Sequence, residues 1–192
     1  MQKFGPEIGK QNDQPTPAPF DMLLFGATGD LALRKLVPAL YRRHLAGQIV
    51  AGSRVLAVAR TSQTRETYLA QIEETCRKYL RAEEFSAERW KSFAALVDYL
   101  TIDATQPQDF KKLSASLAGR DDVVRVIFLS TAPSLFTLTC DNLAAAGLVT
   151  PKSRVVLEKP LGHDRASAEA INRSVGAMFA EHQIYRIDHY LG

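Results

Sequence analysis

A glycine-containing stretch near the amino terminus has the composition of a phosphate-binding loop. It follows a short apolar run, precedes a helical pattern, and consists of Gly26, Ala27, Thr28, Gly29, Asp30 and Leu31. Glycine permits a tight turn and lets a ligand approach the backbone, and the N–H groups at the start of a helix can hold a pyrophosphate. The spacing GxxGxxA meets the usual GxGxxG fingerprint only in part, so a strand-to-helix turn that merely needs glycine is the alternative. The position after the first strand of an alternating pattern favours a dinucleotide site.

The end of the second predicted strand indicates which dinucleotide this is. Arg60 stands there, followed by Thr61 and Ser62, where an acidic residue would bond the ribose 2′-hydroxyl of NAD. A guanidinium with two neighbouring hydroxyls suits the 2′-phosphate of NADP, although a solvated surface arginine is the alternative. Asp103 and Ala104 end the third predicted strand beside the expected adenine, but Asp103 is also a candidate helix cap.

Polar residues also follow the fifth and sixth predicted strands. Lys159 and Pro160 come after the fifth strand, beside the crevice where ligands bind in parallel sheets, and a surface lysine before a turn proline is the alternative. Asp188 and His189 follow the sixth strand. They could form a carboxylate–histidine pair, or His189 could be a hydrogen-bonded structural histidine.

Strand and helix patterns alternate along the chain. Apolar runs predict six strands, near residues 22–25, 55–58, 96–102, 123–129, 155–157 and 183–187. Helical patterns lie between them, at residues 30–46, 64–94 (as two helices), 107–117, 133–146 and 167–179. Pro38 could kink the first helix. This alternation predicts an α/β fold, a Rossmann-like doubly wound parallel sheet with helices on both faces.

Composition narrows the class of protein further. Of the 192 residues 46% are apolar and 23% charged, as in ordinary globular proteins, and a net charge of +3 without a basic run does not indicate nucleic-acid binding. No apolar run is long enough for a membrane helix, and the start lacks a signal-peptide core, so a cytoplasmic protein is predicted. Cys76 and Cys140 have no metal-ligand spacing and are expected to be buried thiols, with no metal site. Residues 1–18 are expected to be a flexible tail, and residues 19–192 one NADP-binding domain.

Three motifs, in order and spacing, resemble the glucose-6-phosphate dehydrogenase family. They are the phosphate loop continued by LRKLVPALY at residues 33–41, EKPLG at residues 158–162, and RIDHYLG at residues 186–192. The resemblance covers the chain from about residue 21 to its end. It implies NADP-dependent oxidation of glucose 6-phosphate to 6-phospho-glucono-1,5-lactone, the first oxidative step of the pentose phosphate pathway. EKP alone also resembles a wider group of sugar dehydrogenases, which lacks the RIDHYLG block.

The resemblance also implies roles for individual residues. His189 and Tyr190 would bond the 6-phosphate, and Lys159 would contact both the sugar hydroxyls and the cofactor. Lys35 resembles a residue that lines the same junction. Asp188 resembles the carboxylate that orients the catalytic histidine, as the acid of a Ser-His-Asp triad does.

The sequence also departs from the family pattern. Leu33 stands where the family commonly has lysine, and no histidine in the 192 residues matches the family's base. The family's second, α+β domain supplies that base, further substrate contacts and the oligomer interface. We therefore expect the chain alone to be inactive and the full-length protein to be a homo-oligomer. The alternatives are a truncated chain that only binds a dinucleotide and another EKP-type sugar dehydrogenase. Surface positions are expected for His44, His163 and His182.

Overall fold

The computed structural model describes residues 18–158, 161–162 and 164–187, and its centre is a six-stranded sheet. The strand order is β3-β2-β1-β4-β5-β6, and each of the five pairings is parallel. The strands are β1 (Phe20–Phe25), β2 (Arg54–Ala59), β3 (Val97–Thr101), β4 (Val124–Leu129), β5 (Ser153–Glu158) and β6 (Ile184–Ile187). This arrangement confirms the predicted Rossmann-like sheet. The predicted tail lies outside the described residues except for Ala18.

Within the described ranges, six α-helices connect the strands. They are α1 (Val37–Leu45), α2 (Arg65–Tyr79), α3 (Ala87–Ala94), α4 (Phe110–Leu117), α5 (Phe136–Ala145) and α6 (Arg165–Met178). The predicted division of residues 64–94 into two helices is confirmed, with a short 3₁₀ turn, Ala82–Glu84, between them.

The first helical segment is irregular just before Pro38. Residues Ala32–Leu36 form a wide π-helical turn, closed by a bond from the Val37 N–H to the Ala32 carbonyl. Pro38 lies in the first turn of α1, a position that proline tolerates in helices. Because proline has no N–H, the turn before it cannot be closed by a regular hydrogen bond from that nitrogen. The distortion expected at Pro38 therefore takes the form of a wide turn on its amino-terminal side.

Two hydrophobic cores lie on opposite faces of the sheet. Leu23 and Phe25 of β1 face the core beneath α4, α5 and α6, whereas Met22 and Leu24 face the core beneath α1, α2 and α3. Strands buried on both faces explain the nearly continuous apolar runs in the sequence. Cys76 and Cys140 are free and buried, and this burial raises the pKa of each thiol to about 12.

One carboxylate is buried among these apolar strands, at the amino-terminal edge of the sheet. Asp21 of β1 is fully buried and accepts hydrogen bonds from Arg120 Nε and Nη2, each at 2.8 Å, and from Arg54 Nε at 3.2 Å. Arg120 also donates to the Gly52 carbonyl at 2.7 Å, and Arg54 donates to the Ser116 carbonyl at 2.9 Å. The three side chains thus tie β1 and β2 to the loop that precedes β4.

The histidine predictions have mixed outcomes. His182 is exposed, as predicted, and His163 lies outside the described residues. The surface position predicted for His44 is only partly correct, because its ring is half-buried against Phe93 and its Nε2 lies 2.6 Å from Ser92 Oγ. Burial lowers the pKa of His44. In the described part of the chain no helix is long and apolar enough to cross a membrane, and no cluster of His, Cys, Asp or Glu could hold a metal ion.

Candidate functional site

The strand order reverses between β1 and β4, at the carboxyl-terminal edge of the sheet. From β1 the chain proceeds outward to β2 and β3, and then crosses to β4 on the other side of β1. β1 and β4 stay hydrogen-bonded to each other as far as their carboxyl-terminal ends, where the Ser130 N–H donates to the Phe25 carbonyl at 3.0 Å. In open parallel sheets, ligands bind in the crevice outside such a reversal point. The glycine-containing loop begins at this crevice.

Gly26 occupies a position that only glycine can take. Its φ of 78° lies in the left-handed region, and a Cβ built on it would stand 2.8 Å from the Ser130 carbonyl carbon and closer still to the carbonyl oxygen. The tight turn predicted for Gly26 is therefore confirmed. The missing side chain makes room for the Ser130 backbone just after β4, so this glycine is needed for packing whether or not a ligand is bound.

The loop amides divide into two groups. The N–H groups of Gly26 and Ala27 donate to the Val58 carbonyl at 2.9 and 3.1 Å, and the Gly29 N–H donates to the Gly26 carbonyl at 2.9 Å. Helical structure begins at Asp30. The amides of a first helical turn have no carbonyl partner within the helix and can meet an anion. Asp30 and Leu31 are the predicted loop residues that offer such amides.

Ala27 is held from behind by α2. It is fully buried, and its carbonyl accepts a hydrogen bond at 3.2 Å from the hydroxyl of Tyr68, which is also buried. Burial raises the pKa of the Tyr68 phenol, so this group remains a donor. Sequence reasoning did not find Tyr68, whose only signal is an aromatic residue on the apolar face of a helix. Ligand contact by Ala27 itself stays a prediction.

The segment after β2 lies beside the phosphate loop. Arg60 is exposed there, and the carbonyl of the next residue, Thr61, accepts bonds from Tyr99 Oη at 2.6 Å and Thr101 Oγ1 at 3.4 Å. The Thr61 and Thr28 hydroxyls are 3.5 Å apart. The structure therefore brings together hydroxyls from two of the predicted segments, and the exposed Arg60 is next in sequence to one of them.

Asp103 and Ala104 make local contacts at the end of β3. The Asp103 carboxylate accepts from the N–H of Thr105 at 2.9 Å and from its hydroxyl at 2.8 Å. The Thr105 N–H, its hydroxyl and the nearby charge of Arg60 lower the pKa of Asp103. The Ala104 carbonyl accepts from Asn142 Nδ2 at 2.9 Å. The bonds between Asp103 and Thr105 close a local turn over residues 103–105. The helix-cap alternative for Asp103 is wrong, because Gln106 and Asp109 stand at the cap positions of the 3₁₀ turn Pro107–Asp109 and of α4. Contact of Asp103 with an adenine stays a prediction.

The remaining predicted site residues are placed less fully. Lys35 is exposed in the wide helical turn. Lys159, Asp188, His189 and Tyr190 lie outside the described residues. The strands that precede them, β5 and β6, end level with each other, because Glu158 and Ile187 are register partners.

Two hydroxyls beside the loop were not anticipated from the sequence. Ser130 and Thr131 directly follow β4, and Ser130 Oγ and Thr131 Oγ1 are buried with no hydrogen-bond partner in the described part of the chain. The carbonyl of Ser130 and the Cγ2 methyl of Thr131 line the space beside Gly26. The crevice thus offers unsatisfied polar groups and helix-start amides, which fits a dinucleotide ligand.

Comparison with known proteins identifies relatives over nearly all of this chain. A family model described as "Glucose-6-phosphate dehydrogenase, NAD binding domain" matches residues 23–192. Glucose-6-phosphate 1-dehydrogenase of Gluconobacter oxydans is 46% identical over 91% of the chain, and that of Mycolicibacterium smegmatis is 42% identical over 94%. The chain spans only 36% and 38% of the length of these two relatives.

Solved structures show the same likeness. The crystal structure of glucose-6-phosphate 1-dehydrogenase from Mycobacterium avium matches with a TM-score of 0.83 and 31% identity, covering 91% of this chain and 36% of that one. A glucose-6-phosphate dehydrogenase in complex with its substrate glucose-6-phosphate matches with a TM-score of 0.77 and 26% identity, covering 93% of this chain and 38% of that one.

Proposed function

This chain belongs to the glucose-6-phosphate dehydrogenase family, and we propose that it forms the cofactor-binding part of an enzyme that oxidises glucose 6-phosphate with NADP. The observation that carries the proposal is the family match over residues 23–192, the domain that contains the crevice between β1 and β4. Because the chain spans little more than a third of its relatives, the activity is proposed for the whole protein.

The residues of this chain would bind and orient the reactants. In this reaction the bound NADP supplies the acceptor for the hydride of C1, and the products are 6-phospho-glucono-1,5-lactone and NADPH. The amides that begin the first helical turn would hold the diphosphate. By family resemblance, Lys159 and Lys35 would position the sugar against the cofactor, His189 and Tyr190 would hold its 6-phosphate, and Asp188 would orient the catalytic histidine.

The direct test is an assay of the whole protein with phosphorylated and unphosphorylated sugars. We expect NADPH formation, followed by absorbance, with glucose 6-phosphate and at least about 100-fold lower kcat/KM with glucose, because charge-assisted bonds to the phosphate would be lost. In the whole protein, Lys159→Ala should lower kcat/KM for glucose 6-phosphate strongly, whereas Lys111→Ala, on α4, should leave it unchanged. Equal rates with glucose and glucose 6-phosphate would contradict the proposal.

The choice of NADP over NAD rests on the segment after β2. Arg60 is exposed there, and the hydroxyl of the next residue, Thr61, lies 3.5 Å from that of Thr28 in the phosphate loop. No carboxylate stands at the position of Arg60 to bond a free 2′-hydroxyl. The negative charge of Asp103 near Arg60 reduces the positive electrostatic potential there, but Arg60 is exposed.

Replacing Arg60 by alanine should remove much of this preference. Loss of a charge-assisted bond to the 2′-phosphate should weaken NADP binding by about 1.5–3 kcal/mol, or roughly 10- to 150-fold in Kd, with little change for NAD. Calorimetric titration of both cofactors measures this, and Arg173→Ala, an exposed arginine on α6, is the matched control. Equal affinities of the unaltered chain for NADP and NAD would argue against the assignment.

We also propose that the whole protein is a cytoplasmic homo-oligomer. The support is the family membership, together with two free buried cysteines of the kind found in reducing compartments. Sedimentation of the whole protein would measure the oligomeric state, and cell fractionation would test the location.

A further inference from the structure

Two hydroxyls that follow β4 lie beside the phosphate loop without a hydrogen-bond partner among the described residues. Ser130 Oγ and Thr131 Oγ1 are adjacent in sequence and buried, and neither has a hydrogen-bond partner in the described ranges. Native proteins leave few buried polar groups unsatisfied, because the lost bonds to water are not replaced. These two hydroxyls therefore need a hydrogen-bond partner that the described residues do not supply.

Ser130 and Thr131 lie on one side of the phosphate loop, the side of β4. A Cβ on Gly26 would stand 2.8 Å from the Ser130 carbonyl carbon and 3.2 Å from Thr131 Cγ2, so both residues touch the loop from the β4 side. The opposite side of the loop is occupied by β2, whose Val58 carbonyl accepts the Gly26 and Ala27 amides. The loop thus separates the hydroxyls from the segment that carries Arg60.

This separation indicates which half of the dinucleotide would lie over each side. If Arg60 holds the 2′-phosphate, the adenosine half lies over β2 and β3, and the diphosphate crosses at the amides that begin the helix. The other half must then continue over the end of β4. The Ser130 and Thr131 hydroxyls are buried in this structure, and a change of χ1 from one staggered rotamer to another is enough to turn such a hydroxyl towards a ligand over β4.

We propose that the Ser130 and Thr131 hydroxyls bond the nicotinamide-ribose half of the bound dinucleotide and position it over β4. A ribose offers hydroxyls that both donate and accept, which suits two side chains of the same kind. The proposal rests on the proposed binding of NADP by this chain. It adds two contact residues to those predicted from the sequence.

The test compares NADP with adenosine 2′,5′-bisphosphate, which carries only the adenosine half. In a Ser130→Ala/Thr131→Val double variant, the Kd for NADP should rise about tenfold, since each lost neutral hydrogen bond accounts for a factor of a few. The Kd for the bisphosphate should stay within about twofold of the original, because no contact with the adenosine half is removed. The thermal unfolding midpoint should not fall, because the hydroxyls removed have no partner within the described chain.

Thr139→Val is the matched control. Thr139 is also buried, but its hydroxyl donates to the Leu135 carbonyl at 2.7 Å. This variant should have a lower unfolding midpoint and an unchanged Kd for NADP. An unchanged Kd for NADP in the double variant, or equal weakening of both ligands, would overturn the inference alone. Failure of the unaltered chain to bind either ligand would overturn the proposed cofactor binding as well.

Discussion

Gly26→Ala should lower the free energy of unfolding by about 3–5 kcal/mol and abolish measurable dinucleotide binding. Two costs combine in this estimate. A side chain at a φ of 78° is strained, and the new methyl group would overlap the backbone of Ser130. That backbone cannot move freely, because the Ser130 N–H is bonded to the Phe25 carbonyl. Separating the ends of β1 and β4 would also open the crevice where the ligand is expected to bind.

Gly119→Ala separates the two costs. Gly119 has a similar φ of 73°, but a Cβ built on it would meet no atom within 4 Å. It carries the conformational strain without the overlap, so we expect a loss of about 1–2 kcal/mol and unchanged binding. Urea unfolding followed by circular dichroism, with titration of NADP, measures both variants. If Gly26→Ala is no more destabilising than Gly119→Ala, close packing against Ser130 does not constrain the loop.

The phosphate loop shows which structural features could be predicted from the sequence and which could not. An apolar run followed by glycine and a helical pattern predicted the strand, the turn and the start of the helix, because each of these depends on neighbouring residues. Which amides remain free depends on contacts with distant residues, such as the Val58 carbonyl on β2 and the Tyr68 hydroxyl on α2. No local pattern reveals these contacts, and so the sequence could not show that Ala27 is committed to packing.

Strand boundaries illustrate the same limit. The predicted fifth strand begins at residue 155, whereas β5 begins at Ser153, which is fully buried. Ser153 Oγ accepts from the Thr150 N–H at 2.9 Å, and the Ser153 carbonyl accepts from the buried Gln183 at 2.9 Å. A pattern of apolar residues cannot predict which polar residues are buried, because their burial depends on hydrogen bonds rather than on hydrophobicity. The Ser130 and Thr131 hydroxyls, which have no partner among the described residues, were not predicted for a related reason. Serine and threonine are common in surface turns, so their presence after a strand does not indicate burial.

Asp21 is the clearest case of a stabilising residue that the apolar pattern hides. It stands next to the predicted first strand, and its partner Arg120 is 99 residues away along the chain. Removing one member of a buried ion pair typically costs about 3–5 kcal/mol, because the remaining charge is left without compensation. Here the Arg54 and Arg120 side chains are 32% and 26% exposed, so water can hydrate them in part. We therefore expect Asp21→Asn to lower the free energy of unfolding by about 2–3 kcal/mol.

Glu169→Gln is the control for this prediction, because it removes the carboxylate of an exposed ion pair of good geometry. The Arg165–Glu169 pair is 2.6 Å long, but its side chains are 93% and 57% exposed, and such pairs contribute about 0–1 kcal/mol. Urea unfolding in low and high salt measures both variants, and salt should screen only the exposed pair. Because Asp21 lies at the amino-terminal edge of the sheet, opposite the crevice, the folded Asp21→Asn chain should bind NADP with unchanged Kd. A loss of stability no larger than that of Glu169→Gln would show that the Asp21 carboxylate does not hold the amino-terminal edge together.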